Sequence, residues 1–219
     1  MPKSSAVPAP AQIDRDASGV QRRAERRERL IAAAVDVYGE VGYRNATVRA
    51  ICQRARLTER YFYEAFGSNE KLLVEAAAML AGQTLARMIA LKDATAGDAD
   101  AVTLRVLTDY YRIQLREASK ARVFTLEFRG ICATADAEFE RILDAFSTLL
   151  VSIRDPRGIG PAANDRLLRR GIIGGILQIT LAWIESGYRE PPETVARAAA
   201  RICSLADPTS ANVPPLAEQ

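Results

Sequence analysis

The sequence predicts an all-α fold, and two observations carry that reading. Residues 47–66, TVRAICQRARLTERYFYEAF, read as two short helices on either side of a tight turn. Beyond them, apolar residues recur every three or four positions through long segments, and Gly-, Pro- and Asp-containing breaks separate those segments. With 219 residues, 48% apolar and 26% charged, the chain suits one or two domains and can bury a sizeable core.

Residues 1–21 are rich in Pro, Ala and Ser and lack the apolar stretch of a secretory signal; they are expected to form a disordered arm. The first helix, residues 23–41, carries Leu30, Ala34, Val37, Tyr38 and Val41 on one stripe. Gly42 is a natural stop for it. In the next helix Val48, Ile51 and Cys52 share a face, and Thr47 can cap it or meet a phosphate. The turn runs through Arg54, Ala55, Arg56 and Leu57. Thr58 is expected to cap the following helix through its side chain. There Phe62 and Phe66 point inward, leaving Glu59, Arg60, Tyr61 and Glu64 on the other faces. Two helices of about two turns joined by 3–4 residues form a helix-turn-helix, whose second helix can enter the DNA major groove. Ordinary bundles contain hairpins of the same spacing.

Charge is distributed unevenly. Residues 1–66 hold 12 Lys+Arg against 8 Asp+Glu, and residues 67–219 hold 18 against 19. An excess of positive charge beside the hairpin suits a phosphate-facing surface, and equally a solvated basic face. The run QRRAERRERL from Gln21 contains five arginines. It reads either as a helical surface of Glu–Arg pairs, each worth about 0.3 kcal/mol, or as an extension that grips phosphate or the minor groove.

Downstream, Ser68 can cap a long helix over residues 69–91, and DATAGDAD is a loop. Helices are expected over residues 101–118, 121–131 and 136–153, with a loop over residues 154–165. Between them Tyr110, Tyr111, Phe124, Phe128 and Phe146, with Trp183 from the segment that follows, can line a ligand cavity or simply fill a core. The segment 167–188 has an apolar run, residues 171–184, too short and interrupted to span a bilayer. Gly171, Gly174 and Gly175 each cost about 1 kcal/mol in a helix, which suggests close approach of another helix. A last helix covers residues 193–205, and residues 207–219 are expected to be a disordered tail.

The function classes narrow from what is missing. No histidine is present, removing the commonest general base and metal ligand. No Gly-rich phosphate loop or nucleophile elbow occurs. Cys52, Cys132 and Cys203 have no metal or disulfide spacing and fit a reducing cytoplasm. Neither a cofactor nor a metal is expected, and an enzyme is disfavoured.

One stretch adds a resemblance. RERLIAAAVDVYGEVGYRNATVRAICQRARLTERYFYEAFGSNEKLL, from Arg27, resembles the N-terminal domain of TetR-family transcriptional regulators. The match rests on Leu30-Ile31, Ala33-Ala34, Tyr38, Gly42-Tyr43, Thr47-Val48, Ile51, Tyr63-x-x-Phe66 and Ser68-x-Glu70 before Leu72-Leu73. Two positions depart: Arg56 stands where the family usually has Gly, and Asn69 where it usually has Lys. The resemblance implies a three-helix DNA-binding domain over residues 22–67. It also implies a helical bundle over residues 68–206 for ligand binding and dimerisation. DNA contacts are expected from Arg44, Thr47, Arg49, Thr58, Arg60, Tyr61, Tyr63 and Lys71, with Arg60 suited to a guanine edge. The homodimer interface is expected at Gly171, Gly174, Gly175, Gln178 and Ile202. The implied partners are double-stranded DNA with an inverted-repeat operator, a small apolar or aromatic effector, and a second copy of the chain; no membrane is expected. Two alternatives stay open: a regulator without a ligand, and a helical carrier or enzyme that does not touch DNA.

Overall fold

The computed structural model describes residues 10–208, with side chains from residue 19 onward. Among them are ten α-helices and three short helical turns, and no strand. The chain divides into two units, Met1–Ala76 and Ala77–Gln219.

In the first unit, α1 spans Pro10–Val41, α2 Val48–Ala55 and α3 Glu59–Ala65, and the unit ends within α4, Asn69–Ala94. The helix begins well before Arg23, so residues 10–21 are helical rather than a disordered arm; residues 1–9 lie outside the described residues. Pro10 takes the first helical position, where its missing N–H is no loss, and no later proline interrupts the helix. Gly42, at φ 77°, ends α1. Leu30, Ala34, Val37 and Tyr38 form the expected stripe in a core with Ile51, Cys52, Phe62 and Phe66. Val41 is an exception at 47% exposed, because it occupies the last helical position with no later turn to cover it. Leu72, Leu73 and Ala76 are buried in the same unit, which is why it runs past residue 67 to Ala76.

The turn between α2 and α3 takes its shape from a left-handed residue. Arg56 sits at φ 53°, ψ 46°, the region where the family's glycine is at ease. Its N–H donates to the Gln53 carbonyl at 3.1 Å, and Leu57 N–H donates to Cys52 at 2.9 Å. These two bonds close a Schellman turn. Thr47 caps α2 as expected, its hydroxyl accepting the Ala50 N–H at 3.1 Å. Thr58 does not cap α3 through its side chain: it holds the extended N-cap backbone, but its backbone carbonyl accepts from Tyr61 N–H instead. Ser68 caps α4, accepting from Lys71 N–H at 3.3 Å.

The second unit contains the rest of α4 with α5 (Ala99–Arg116), α6 (Ala118–Arg122), α7 (Ala133–Arg154), α8 (Pro161–Asn164), α9 (Arg166–Glu185) and α10 (Pro192–Cys203). Asp98 caps α5 and Asp165 caps α9. Two expectations change. The helix over residues 121–131 is instead α6 followed by a π-helical turn, Val123–Glu127, and the loop over residues 154–165 contains α8. By length and composition alone α9 and α4 reach the size of a membrane span, a test that buried core helices also pass. Ile172, Ile173, Ile176 and Trp183 of α9 are nevertheless buried against protein. Arg154, at the end of α7, is buried with ion pairs to Asp100 and Asp207. Asp207 is therefore held in place; residues 209–219 of the expected tail lie outside the described residues.

Relieving the left-handed strain makes a direct test. Arg56→Gly is expected to raise unfolding stability by about 0.5–1 kcal/mol, read from thermal or urea unfolding by circular dichroism.

Candidate nucleic-acid interface and cavity

An isolated helix of seven residues is not stable in water, so α3 depends on what it packs against. Phe62 is fully buried and its ring lies 6.0 Å from Phe66, which anchors one side of α3 in the core. Arg60, Tyr63 and Glu64 fall at i, i+3 and i+4 and share the opposite face. Tyr63 is 56% exposed, so it is not a core aromatic. The Arg60 side chain is 84% exposed and ion-paired to Glu64 at 2.7 Å. A base contact by Arg60 must therefore compete with, or share, that carboxylate. Arg44, Thr47, Arg49, Thr58 and Lys71 are also exposed, and Tyr61 is half-buried. All eight expected DNA contacts lie on consecutive elements of the first unit, from the turn before α2 to the first turn of α4.

Several supporting contacts escape sequence reading. Arg29 of α1 donates to the Ala55 carbonyl at 2.6 Å, satisfying an orphan acceptor at the end of α2. Arg54 of α2 grips Glu40 of α1 through two hydrogen bonds of 2.9 and 2.7 Å. Arg26 of α1 lies over Tyr61, 4.4 Å from the ring centroid, and Arg27 pairs with Glu75. Asn69 serves the fold directly, because its Oδ1 accepts from the Tyr38 hydroxyl at 2.7 Å. Burial holds that hydroxyl well above its usual pKa, so it stays a neutral donor. The position where the family usually places Lys is thus committed to an internal hydrogen bond.

In the second unit, α4, α5, α7, α9 and the α6–π segment border a partly open cavity of about 170 Å³. Tyr110, Phe124 and Phe146 are among its lining residues, together with Leu80, Leu107, Phe139, Leu143 and Ile176. Tyr111, Phe128 and Trp183 do not. Tyr111 is fully buried and shares a hydrogen bond with Thr180 at 3.1 Å, Trp183 stacks edge-on against Tyr111 and Tyr188, and Phe128 packs behind Phe139. The cavity's polar groups are largely satisfied within the fold. The Thr84 and Thr180 hydroxyls donate to carbonyls one turn back, and Gln114 Nε2 donates to the Tyr110 hydroxyl at 2.7 Å. Burial pushes that hydroxyl up to about 12, so it is neutral at any ordinary pH. Lining residues that the sequence did not single out include Gln114, Leu143, Leu80, Leu107, Phe139 and Ile176. The signal for Gln114 was its i,i+4 position relative to Tyr110, and for Leu143 its i,i+3 position relative to Phe146.

The glycines of α9 separate into two groups. Gly175 faces α10 of the same chain, where a Cβ would lie 3.3 Å from Ile202 Cγ2. Gly175 and Ile202 thus explain each other inside one chain. Gly171 and Gly174 meet nothing within 4 Å, and with Gln178 they form an exposed stripe at i, i+3 and i+7.

Residues 30–76 match the family described as "Bacterial regulatory proteins, tetR family". That stretch contains the core stripe of α1, the hairpin and the buried start of α4. The fold is similar to that of the transcriptional regulator FadR from Bacillus subtilis in complex with stearoyl-CoA, with TM-score 0.68, 21% identity and coverage of 84% of this chain and 99% of that one. It is also similar to the fatty acid degradation regulator FadR from Bacillus halodurans (TM-score 0.68, 19% identity, 81% and 97%). A tetR-family transcriptional regulator from Streptomyces coelicolor gives TM-score 0.66 and 20% identity over 82% and 77%. The sequence matches no curated protein.

The Tyr38–Asn69 bond ties the last turn of α1 to the first residue of α4. Tyr38→Phe leaves Asn69 short of a donor and is expected to cost about 1 kcal/mol of stability; equilibrium unfolding beside the parent protein measures it.

Proposed function

We propose, from the premise that this chain belongs to the TetR family of bacterial regulatory proteins, that it is a homodimeric, cytoplasmic repressor released from a palindromic operator by a small apolar molecule. The observation that carries the DNA-binding part is α3 itself: one side is anchored by Phe62 and Phe66, and the other presents Arg60 and Tyr63 to solvent. In a two-fold dimer the paired α3 helices meet successive major grooves about 34–36 Å apart, so the operator is an inverted repeat. Thr47, Arg44 and Lys71 supply backbone contacts that set register, while Arg60 reads a base edge. The exposed stripe of Gly171, Gly174 and Gln178 on α9 supports the dimer, because a helix bare of side chains lets a second backbone come close.

The effector reading rests on the cavity. Its walls are mainly aliphatic and aromatic, the polar groups of Thr84, Tyr110, Gln114 and Thr180 are already hydrogen-bonded, and the charged lining residues Glu117 and Lys120 pair with each other, so a neutral apolar guest displaces little that is well solvated. The Bacillus subtilis neighbour holds stearoyl-CoA. About 170 Å³ suits a smaller guest here, since an apolar cavity of about 150 Å³ takes up benzene. Helix α4 contributes Leu72 and Leu73 to the core of the first unit and Leu80 and Thr84 to the cavity wall. A ligand that fits one position of α4 better than another shifts the spacing of the paired α3 helices, and it acts only through that difference in affinity.

Two experiments test this. Selection of bound duplexes from a random pool at fixed salt is expected to return an inverted repeat. Arg60→Ala combined with Tyr63→Ala is expected to lower affinity for it by about ten- to a hundredfold. A monomer at micromolar concentration, or equal weak binding to all duplexes, overturns the reading. Second, a panel of neutral monocyclic aromatics is expected to include one that stabilises the protein by about 2–3 kcal/mol near a hundred times its Kd and releases the operator. Leu143→Trp, which fills the cavity, is expected to abolish both effects. Stabilisation without release instead favours a regulator whose DNA binding ignores its cavity.

A further inference from the structure

Arg22, Arg26 and Arg29 stand at i, i+4 and i+7 of α1, on one helical face. The structure fixes what that face meets. Arg29 reaches the end of α2, donating to the carbonyls of Ala55 at 2.6 Å and Arg56 at 3.4 Å. One turn earlier, the Arg26 guanidinium lies 4.4 Å from the ring centroid of Tyr61, the third residue of α3. The stripe therefore climbs from the hairpin turn to the recognition helix. Arg22 continues it by about 6 Å along the axis. All three residues precede Leu30, where the family match begins.

Stacking on an aromatic face leaves a guanidinium's donors available. The contact is made by the guanidinium carbon, 4.4 Å from the ring centroid, while the group's five N–H bonds radiate in its own plane. Among the described residues, no hydrogen bond occupies the Arg26 N–H groups. Glu25, the nearest acidic neighbour on α1, accepts from Gln21 at 3.3 Å. A planar donor fork beside a helix that enters the major groove suits a backbone phosphate, which it can hold in bidentate fashion.

We infer that the arginine stripe Arg22–Arg26–Arg29 extends the DNA interface onto α1, with Arg26 both positioning Tyr61 and binding a backbone phosphate of the operator. This rests on the reading of α3 as the recognition helix. Arg29 serves by fixing the turn, Arg26 by holding Tyr61 in place while its edge faces the phosphate, and Arg22 by reaching the next phosphate along the strand. The partner is duplex DNA, and the added contact is indifferent to sequence.

The test is the salt dependence of binding to the selected operator, compared for the parent protein, Arg22→Ala, Arg26→Ala and Arg26→Lys. Each phosphate contact contributes about 0.9 to the slope of log K against log salt concentration. Arg26→Ala is expected to weaken binding about tenfold and reduce the slope by about one. Arg22→Ala is expected to reduce the slope similarly and leave the preferred sequence unchanged. Arg26→Lys should retain the slope while losing part of the affinity, since an ammonium keeps the charge but not the flat stack. Unchanged slopes in both alanine variants, with unfolding temperatures matching the parent, overturn the inference. So does a loss of affinity in Arg26→Ala with the parent's slope, which would make the stack a prop for Tyr61 alone. Failure of the parent protein to prefer any duplex is a separate outcome that overturns the reading of α3 instead.

Discussion

The first unit depends on a single constraint: α3 is too short to hold its own shape. Seven residues supply fewer hydrogen bonds than a helix needs to offset its nucleation cost. Its orientation therefore comes from burial of Phe62 and Phe66 and from the left-handed turn at Arg56 that precedes it. Helix α1 is the surface against which this is done. Its apolar stripe receives the phenylalanines, and two of its arginines reach across to the turn and to Tyr61. Anything that shifts α1 moves the exposed face of α3 with it.

Those parts of the fold that follow from helical periodicity were readable in the sequence. Leu30, Ala34, Val37 and Tyr38 of α1, the Thr47 and Ser68 caps, and Gly42 as a stop all occupy their expected places. The start of α1 was not readable, because a polar segment rich in Ala, Asp and Gln has the composition of a disordered arm and of a solvated helix alike. Thr58 differs for another reason: it occupies the N-cap position, but side-chain capping depends on a rotamer that sequence does not dictate. Arg56 shows the opposite case. An arginine stands where a glycine is customary, yet the backbone keeps the left-handed geometry and its two closing bonds. Tertiary context outweighs a local preference of about 1–2 kcal/mol.

In the second unit, aromatic residues on helical stripes divide between cavity and core in a way only packing decides. Tyr110 and Tyr111 are adjacent in sequence and their rings meet at 5.1 Å, but one lines the cavity and the other is sealed against Thr180 and Trp183. Adjacent helical residues point about 100° apart, so a stripe wide enough to hold both must put one of them behind the other. The glycines of α9 divide by the same logic: Gly175 makes room for Ile202, whereas Gly171 and Gly174 leave bare backbone on the outside.

Arg154 joins points far apart in the chain. Its guanidinium is almost entirely out of water and is neutralised by Asp100, at the start of α5, and Asp207, past the end of α10. A buried cation stripped of one carboxylate is costly, and more so than the pair is beneficial. For anyone engineering the protein, this sets where its carboxyl end can be cut or joined: trimming back to Ala206 leaves the Nε and Nη2 donors of Arg154 without their acceptor, while a fusion or affinity handle placed after Pro208 leaves the clasp closed.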